Sequence, residues 1–301
     1  MVLLRRFIRS LIKKESSTRG CCQGNRNIHC TGATFSRDVK LHYVRHEKDT
    51  TSDQPPIFIA HGLFGNHKNW NSLSRRLNNL TGRTIITYDA VNHGLSAHHQ
   101  DMSYIDMAED LLSLMDRLHV EQTTIIGHSM GGKTVMSASL LHPERFDKMV
   151  VVDVAPDLSK SAGEVFTYMN GMKAIDMSQM TSRQDVENEV KKFAKSSFIV
   201  GFLMTNLDVE PHLKWRINLD AMINNYKYIH DFPDFDESAV FDGPTQFIGG
   251  EKSNYLTEAD HPIIKKRFPS SNIIKVPDAG HWVHSEKPKE FLEIASKFIN
   301  G

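Results

Sequence analysis

Past residue 30 the chain has no cysteine; Cys21, Cys22 and Cys30 are the three it contains. The long remainder therefore has no disulfide to close and no thiolate to offer a metal, and it does not depend on an oxidising compartment. No apolar run approaches the ~18 residues of a membrane-spanning helix. Net charge is missing too, with 36 Lys and Arg against 36 Asp and Glu. The charge is unevenly spread. Residues 1–30 carry seven bases and one acid, Glu15, which leaves 29 bases, 35 acids and a net of −6 for the rest. A mildly acidic body lacks the basic face that a nucleic acid needs. Internal repeats and low-complexity segments are also absent. What remains is size: 301 residues, 40% of them hydrophobic, enough for one large α/β domain with an insertion.

The stretch that organises the rest is Thr123-Thr124-Ile125-Ile126-Gly127-His128-Ser129-Met130-Gly131-Gly132-Lys133. A β-branched run ends in Gly-x-Ser-x-Gly, and a helix-compatible stretch follows. In a strand–turn–helix this tight, Gly127 and Gly131 leave room where side chains would collide, and Ser129 Oγ stands at the tip. In a chance loop the same pattern would be only a flexible turn. A free serine hydroxyl is a poor nucleophile, so this one needs a base, an orienter for that base and an oxyanion site.

Residues 1–14 are basic, acid-poor and amphipathic, with Leu4, Phe7, Ile8, Leu11 and Ile12 at helical spacing. Arg5, Arg6 and Arg9 break the apolar centre that a secretory signal requires. The pattern predicts a mitochondrial transit peptide over 1–34, cut somewhere in 19–35, and hence a matrix address. A disordered basic tail or a surface-lying helix is the plainer alternative.

Strands are expected at Lys40–His46, Ile57–Ala60, Thr84–Tyr88, at the elbow and at Met149–Val152, with helices at Ser72–Leu80 and Ser103–Leu118. Asp49–Pro56 reads as a turn. Near-continuous apolar strands alternating with helices imply a mostly parallel sheet covered on both faces. Ligands bind such sheets beyond the strands' carboxyl ends, where His61, Asp89, Ser129 and Asp153 should converge. From 157 to 242 the alternation stops and only helical patterns remain, which predicts a helical cap between two core segments, 35–156 and 243–301. Met169, Met172, Met177, Met180, Met204 and Met222, with Phe166, Phe198, Phe202 and Trp215, would form the cap's own core, some of them roofing a pocket. Strands at Pro244–Ile248 and Asn272–Val276 and helices at Pro262–Phe268 and Lys289–Asn300 complete the core.

Among sixteen histidines, His281 stands apart as the base. It follows the last expected strand, in Pro277-Asp278-Ala279-Gly280-His281-Trp282, where Gly280 permits a bend and Trp282 can anchor the loop. One oxyanion donor is the N–H after the nucleophile, Met130; the other is the Leu63 N–H in His61-Gly62-Leu63, after the second strand. His98-His99 is an isolated pair, so no metal site is expected, and no cofactor is called for.

These residues carry a resemblance that covers nearly the whole body. His61-Gly62-Leu63-Phe64-Gly65, the Asp89–Ser96 loop, the elbow and Gly280-His281-Trp282 resemble the α/β-hydrolase fold family. Gly-His-Ser-Met-Gly-Gly-Lys, Trp215-Arg216-Ile217-Asn218-Leu219 and Gly-His-Trp-Val-His are similar to the subfamily of mitochondrial alpha/beta-hydrolase domain-containing protein eleven and its bacterial esterase relatives. The resemblance implies a serine ester hydrolase, acylglycerols such as diacylglycerol as substrates, and the 2-oxoglutarate dehydrogenase complex as a matrix partner. It also implies that the Asp89 loop, His93 included, packs near the elbow rather than reacting, and His128 is read as a buttress of the turn.

The acid departs from the family's commoner pattern. In Gly250-Glu251-Lys252-Ser253, Ser253 occupies the slot where many members place Asp. Asp153, at a strand end beside the elbow strand, is the preferred orienter; Asp220 and Glu251 stay open, and Ser253 would bond to the acid or to His281. The elbow does not separate an esterase or lipase from a thioesterase, amidase or carbon–carbon hydrolase. A matrix docking protein whose hydrolase site is incidental is the non-enzymatic alternative. Dehalogenases and epoxide hydrolases need Asp at position 129 and are disfavoured.

Overall fold

The computed structural model describes residues 37–47, 54–157 and 162–301. The leader expected over 1–34 and most of the turn at 49–56 lie outside the described residues. In chain order the core begins with β1 (Tyr43–His46), β2 (Ile57–Ala60), α1 (Asn71–Thr81) and β3 (Ile85–Tyr88). It continues with α2 (Tyr104–Arg117), β4 (Thr123–His128), α3 (Met130–Leu141) and β5 (Phe146–Val152). Next come α4 (Ala162–Ala174), α5 (Arg183–Phe193), α6 (Ser197–Met204), β6 (Leu207–Asp208), β7 (Lys214–Trp215), α7 (Leu219–Asn224) and α8 (Tyr226–His230). The chain closes with β8 (Thr245–Gly250), α9 (His261–Arg267), β9 (Ser271–Val276), α10 (Val283–Glu286) and α11 (Pro288–Asn300).

Seven strands form one sheet in the order β1-β3-β2-β4-β5-β8-β9. Only β1 runs antiparallel, against β3; the other pairings are parallel. The apolar runs explain this. Ile57-Phe58-Ile59-Ala60 and Ile85-Ile86-Thr87-Tyr88 are buried at every position, as strands covered on both faces must be. Alternation then sorts the side chains. Ile57, Ile59, Ile85 and Ile126 meet Leu77 of α1 and Phe291 of α11 on one face. Phe58, Ile86, Ile125 and Val151 meet Leu111 of α2 and Val135 of α3 on the other. Each fully buried aliphatic side chain contributes roughly 1.5–3 kcal/mol. The half-exposed edge strand β1 needs no such cover. Ser103 caps α2 through a reciprocal pair with Asp106, fixing the helix start where the sequence places it.

Because β2 to β5 run the same way, His61, Asp89, Ser129 and Asp153 leave the sheet at one edge, each directly after its strand. The excursion between β5 and β8 is not purely helical, which corrects the expectation for that region. β6 and β7 pair antiparallel, Leu207 opposite Trp215 and Asp208 opposite Lys214. Two-residue strands show no alternation to read, and Arg216 clasping Asp208 at 2.5 Å reinforces the ribbon through side chains. Met169, Met172, Met204 and Met222 are buried within the excursion itself. Among the described residues no helix is long and apolar enough to cross a membrane.

Candidate active site

The turn between β4 and α3 is built by close approach. A Cβ on Gly127 would stand 2.4 Å from the Gly131 carbonyl oxygen, and one on Gly131 would stand 2.4 Å from that of Ala60. Ser129 takes φ 52° and ψ −115°, a conformation that costs an L-residue about 1–3 kcal/mol and persists where the surroundings enforce it. Here the Ser129 N–H donates to Val152 O at 3.1 Å and its carbonyl receives the Lys133 N–H at 3.0 Å.

His281 arrives from the loop after β9. Ser129 Oγ lies 3.1 Å from its Nε2, in place to donate the hydroxyl proton. On the other side of the ring, Nδ1–H donates to Asp153 Oδ2 at 2.8 Å. Asp153 is fully buried and itself sits at φ 50°. Its Oδ1 accepts the Gly250 N–H at 2.9 Å, and Ser253 donates its hydroxyl to Oδ2. The carboxylate therefore has its lone pairs directed before it meets the imidazole. Tyr255 stacks on the His281 ring with centroids 3.7 Å apart, and His128 Nε2–H holds the His281 carbonyl at 3.0 Å.

The Leu63 and Met130 N–H groups have no protein acceptor among the described residues. Met130 opens α3, where first-turn N–H groups lack intrahelical partners. The Leu63 loop is braced at Phe64: its N–H donates to His93 Nε2 at 3.2 Å, and its carbonyl receives Asn206 Nδ2–H at 2.8 Å. Serine, imidazole, buried carboxylate and two free N–H groups constitute the parts of an acyl-transfer centre. They open onto a cavity of about 880 Å³, walled by Tyr168, Phe198, Ile199, Phe202 and Trp282. A second recess of about 50 Å³ also touches Ser129 and Leu63.

A family model described as the alpha/beta hydrolase fold matches residues 55–288. The chain belongs to the alpha/beta hydrolase family. It is 37% identical over 287 residues to the sn-1-specific diacylglycerol lipase ABHD11 of Danio rerio, covering 93% of this chain and 90% of that one. To the esterase YbfF of Escherichia coli (strain K12) it is 32% identical over 265 residues, 87% of this chain and 100% of the other. Among solved structures, a marine microorganism esterase superposes with a TM-score of 0.81 at 32% identity, over 86% of this chain and 99% of its own.

In this alpha/beta hydrolase the two alternative acids stand elsewhere, which corrects their candidacy. Asp220 Oδ1 pairs with Lys173 Nζ at 2.5 Å on an exposed face. Glu251 turns back to accept the Asp278 N–H at 3.0 Å. Of the four polar groups at the sheet edge, only Ser129 and Asp153 meet His281. His61 Nε2 accepts the Ala90 N–H at 3.0 Å while its Nδ1–H donates to Gly62 O at 2.8 Å. Asp89 accepts the N–H groups of His67 at 2.6 Å and Leu95 at 2.8 Å and pairs with the His67 ring. The ligand atoms of His42, His67 and Asp89 lie within 4.8 Å of one another. Asp89 is nevertheless spent on those hydrogen bonds, so the trio forms a brace rather than an open ligand set. His98 and His99 separate, one to the Arg216 carbonyl and the other to Arg37.

Several buried histidines around the site are held neutral. Burial pulls His93 and His284 down to about 3, helped by neighbouring His61 and His281 respectively. Burial also lowers His61, and it lowers His128 well below its ordinary value, with His284 and His281 adding to the effect. Of the cap residues some of which were expected to roof the pocket, Phe198 and Phe202 of α6 line the large cavity and the six methionines do not. Sequence reasoning missed Tyr255 and Asn206, since neither sits in a recognisable motif. A residue two positions past Ser253 was a readable hint for the first.

Proposed function

We propose that this alpha/beta hydrolase cleaves acylglycerol esters, diacylglycerol foremost, through an acyl-enzyme on Ser129. Its family and relatives make the chain an ester hydrolase of the lipase and esterase class. The observation that carries the finer reading is the continuous relay Ser129–His281–Asp153 facing a large apolar cavity. His281 Nε2 takes the Ser129 proton as Oγ attacks the ester carbonyl. The N–H groups of Leu63 and Met130 hold the oxyanion, a contribution worth about 2.7–4 kcal/mol for one such donor. Asp153 fixes the imidazole tautomer and stabilises the imidazolium. His281 then returns the proton to the departing alcohol. It next draws a proton from water as the water oxygen attacks the acyl carbon, and gives that proton to Ser129 Oγ as the C–Oγ bond breaks, which frees the fatty acid and restores the serine hydroxyl.

The proposal includes place and partner. Residues 1–34 direct the chain to mitochondria, and the family resemblance supplies the 2-oxoglutarate dehydrogenase complex as a candidate contact. Incubating the purified enzyme with diacylglycerol tests the chemistry. Wild type should release fatty acid, and Ser129→Ala should not. A wild type that turns over a matched thioester while leaving every acylglycerol intact would move the substrate class.

A further inference from the structure

Lys133 lies one turn along α3 from Ser129 and is only 2% exposed. Its Nζ donates to the Asp157 carbonyl at 2.5 Å and the His230 carbonyl at 2.9 Å. An ammonium has three N–H groups. The third has no oxygen acceptor among the described residues; beyond the two carbonyls, Nζ faces only the Tyr104 ring, 5.6 Å from its centroid. A ring face matches a buried N–H less well than an oxygen does, so a substrate oxygen reaching Nζ gains a charge-assisted hydrogen bond. Lys133 also lines the recess of about 50 Å³ together with Ser129, Met130 and Leu63, the residues that carry the nucleophile and both free N–H groups. That space is too small for an acyl chain. It has room for at least one water-sized group and suits a hydroxymethyl group.

We propose that this recess is a subsite for a free hydroxyl on the alcohol portion of the substrate, received by Lys133. The proposal rests on the ester-hydrolase reading and deepens it. The acyl chain takes the large cavity, and the hydroxyl oxygen accepts the third N–H of Lys133. Burial lowers the Lys133 pKa to about 8 against the opposing pull of the Asp157 and Asp231 carboxylates, so with two acids already acting on the ammonium a neutral oxygen fits better than a further anion. Acylglycerols with an unesterified hydroxyl are then preferred to fully esterified ones, whose third chain the recess rejects.

The test compares ethylene glycol monodecanoate with propyl decanoate, which differ by a hydroxyl in place of a methyl. Each kcat/KM is divided by the ester's alkaline hydrolysis rate. Taking both on one protein sample cancels the amount of folded enzyme. Wild type should prefer the hydroxy ester by about tenfold or more, the range of a hydrogen bond to a charged group. Lys133→Met should bring the ratio close to one. Ile229→Phe, which fills the recess and keeps the lysine, should do the same. Equal turnover of both esters by wild type, or a preference that survives in Lys133→Met, overturns the proposal alone. No turnover of either ester overturns the ester-hydrolase reading, and the proposal with it.

Discussion

Asp153 differs from its two rivals in what surrounds it. Its oxygens receive the Gly250 N–H, the Ser253 hydroxyl and the His281 Nδ1–H in a fully buried site, whereas Asp220 pairs with a surface lysine. Asp153→Asn keeps the shape and presents an amide in place of the acceptor, so kcat should fall by roughly 10⁴. Asp220→Asn and Glu251→Gln should each stay within about twofold, because neither touches the relay. Steady-state rates on one soluble ester decide the comparison. The neutral histidines make a second prediction at this scale. His93 and His284 would bind protons near 6.5 when unfolded but only at about 3 when folded. The unfolded chain therefore gains protons first on acidification. Stability is full above about pH 6.5 and declines below it, by up to about 1.4 kcal/mol per pH unit for each group. Melting curves should show Tm lower at pH 5 than at pH 7 by roughly 5 °C or more; an unchanged Tm would mean these rings are protonated in place. Ser129 and His281 were legible because each sits in a local word with its glycine. The acid was legible only as a preference for Asp153, at a strand end beside the elbow strand; excluding Asp220 and Glu251 requires knowing where the Gly250–Ser253 turn lands.

At the scale of elements, the elbow is the least tolerant feature. Gly127 touches the α3 backbone, and a methyl there meets the Gly131 carbonyl oxygen at 2.4 Å with no flexible side chain to yield. Gly127→Ala should lower fluorophosphonate labelling of Ser129 at least tenfold and reduce Tm, because strain at such a site costs about 1–3 kcal/mol. Normal labelling with a normal Tm would show that the strand–helix turn has slack. The core strands were readable because burial on both faces forces uninterrupted apolar runs such as Ile57–Ala60. The β6–β7 ribbon escaped, since its order comes from Arg216 on Asp208 and from the Arg216 N–H on the Asn206 carbonyl at 2.8 Å. Phe198 and Phe202, named among the pocket's candidate roof, do line the cavity, whereas the six methionines named beside them do not. Methionine spacing marks an apolar element without saying which face meets the sheet and which meets the substrate. Trp282 seated edge-on to Phe198, with centroids 4.9 Å apart, ties the loop bearing His281 to α6.

Across the whole molecule, a parallel sheet gathers strand ends on one edge, and a distant loop supplies the base. Residues 153 positions apart along the chain, His128 and His281, touch through one hydrogen bond at the site. The helical excursion adds Tyr168, Phe198 and Phe202 as apolar walls, which turns an exposed elbow into a cavity of about 880 Å³ suited to an acyl chain. The most direct test of the account is to trap the intermediate. The enzyme is mixed with diacylglycerol, quenched in acid within the first turnover and digested, and its peptides are weighed by mass spectrometry. The account predicts one fatty-acyl addition, on the peptide containing Ser129, and its disappearance in Ser129→Ala. An acyl group on a different residue, or fatty acid release that continues in Ser129→Ala, would contradict it.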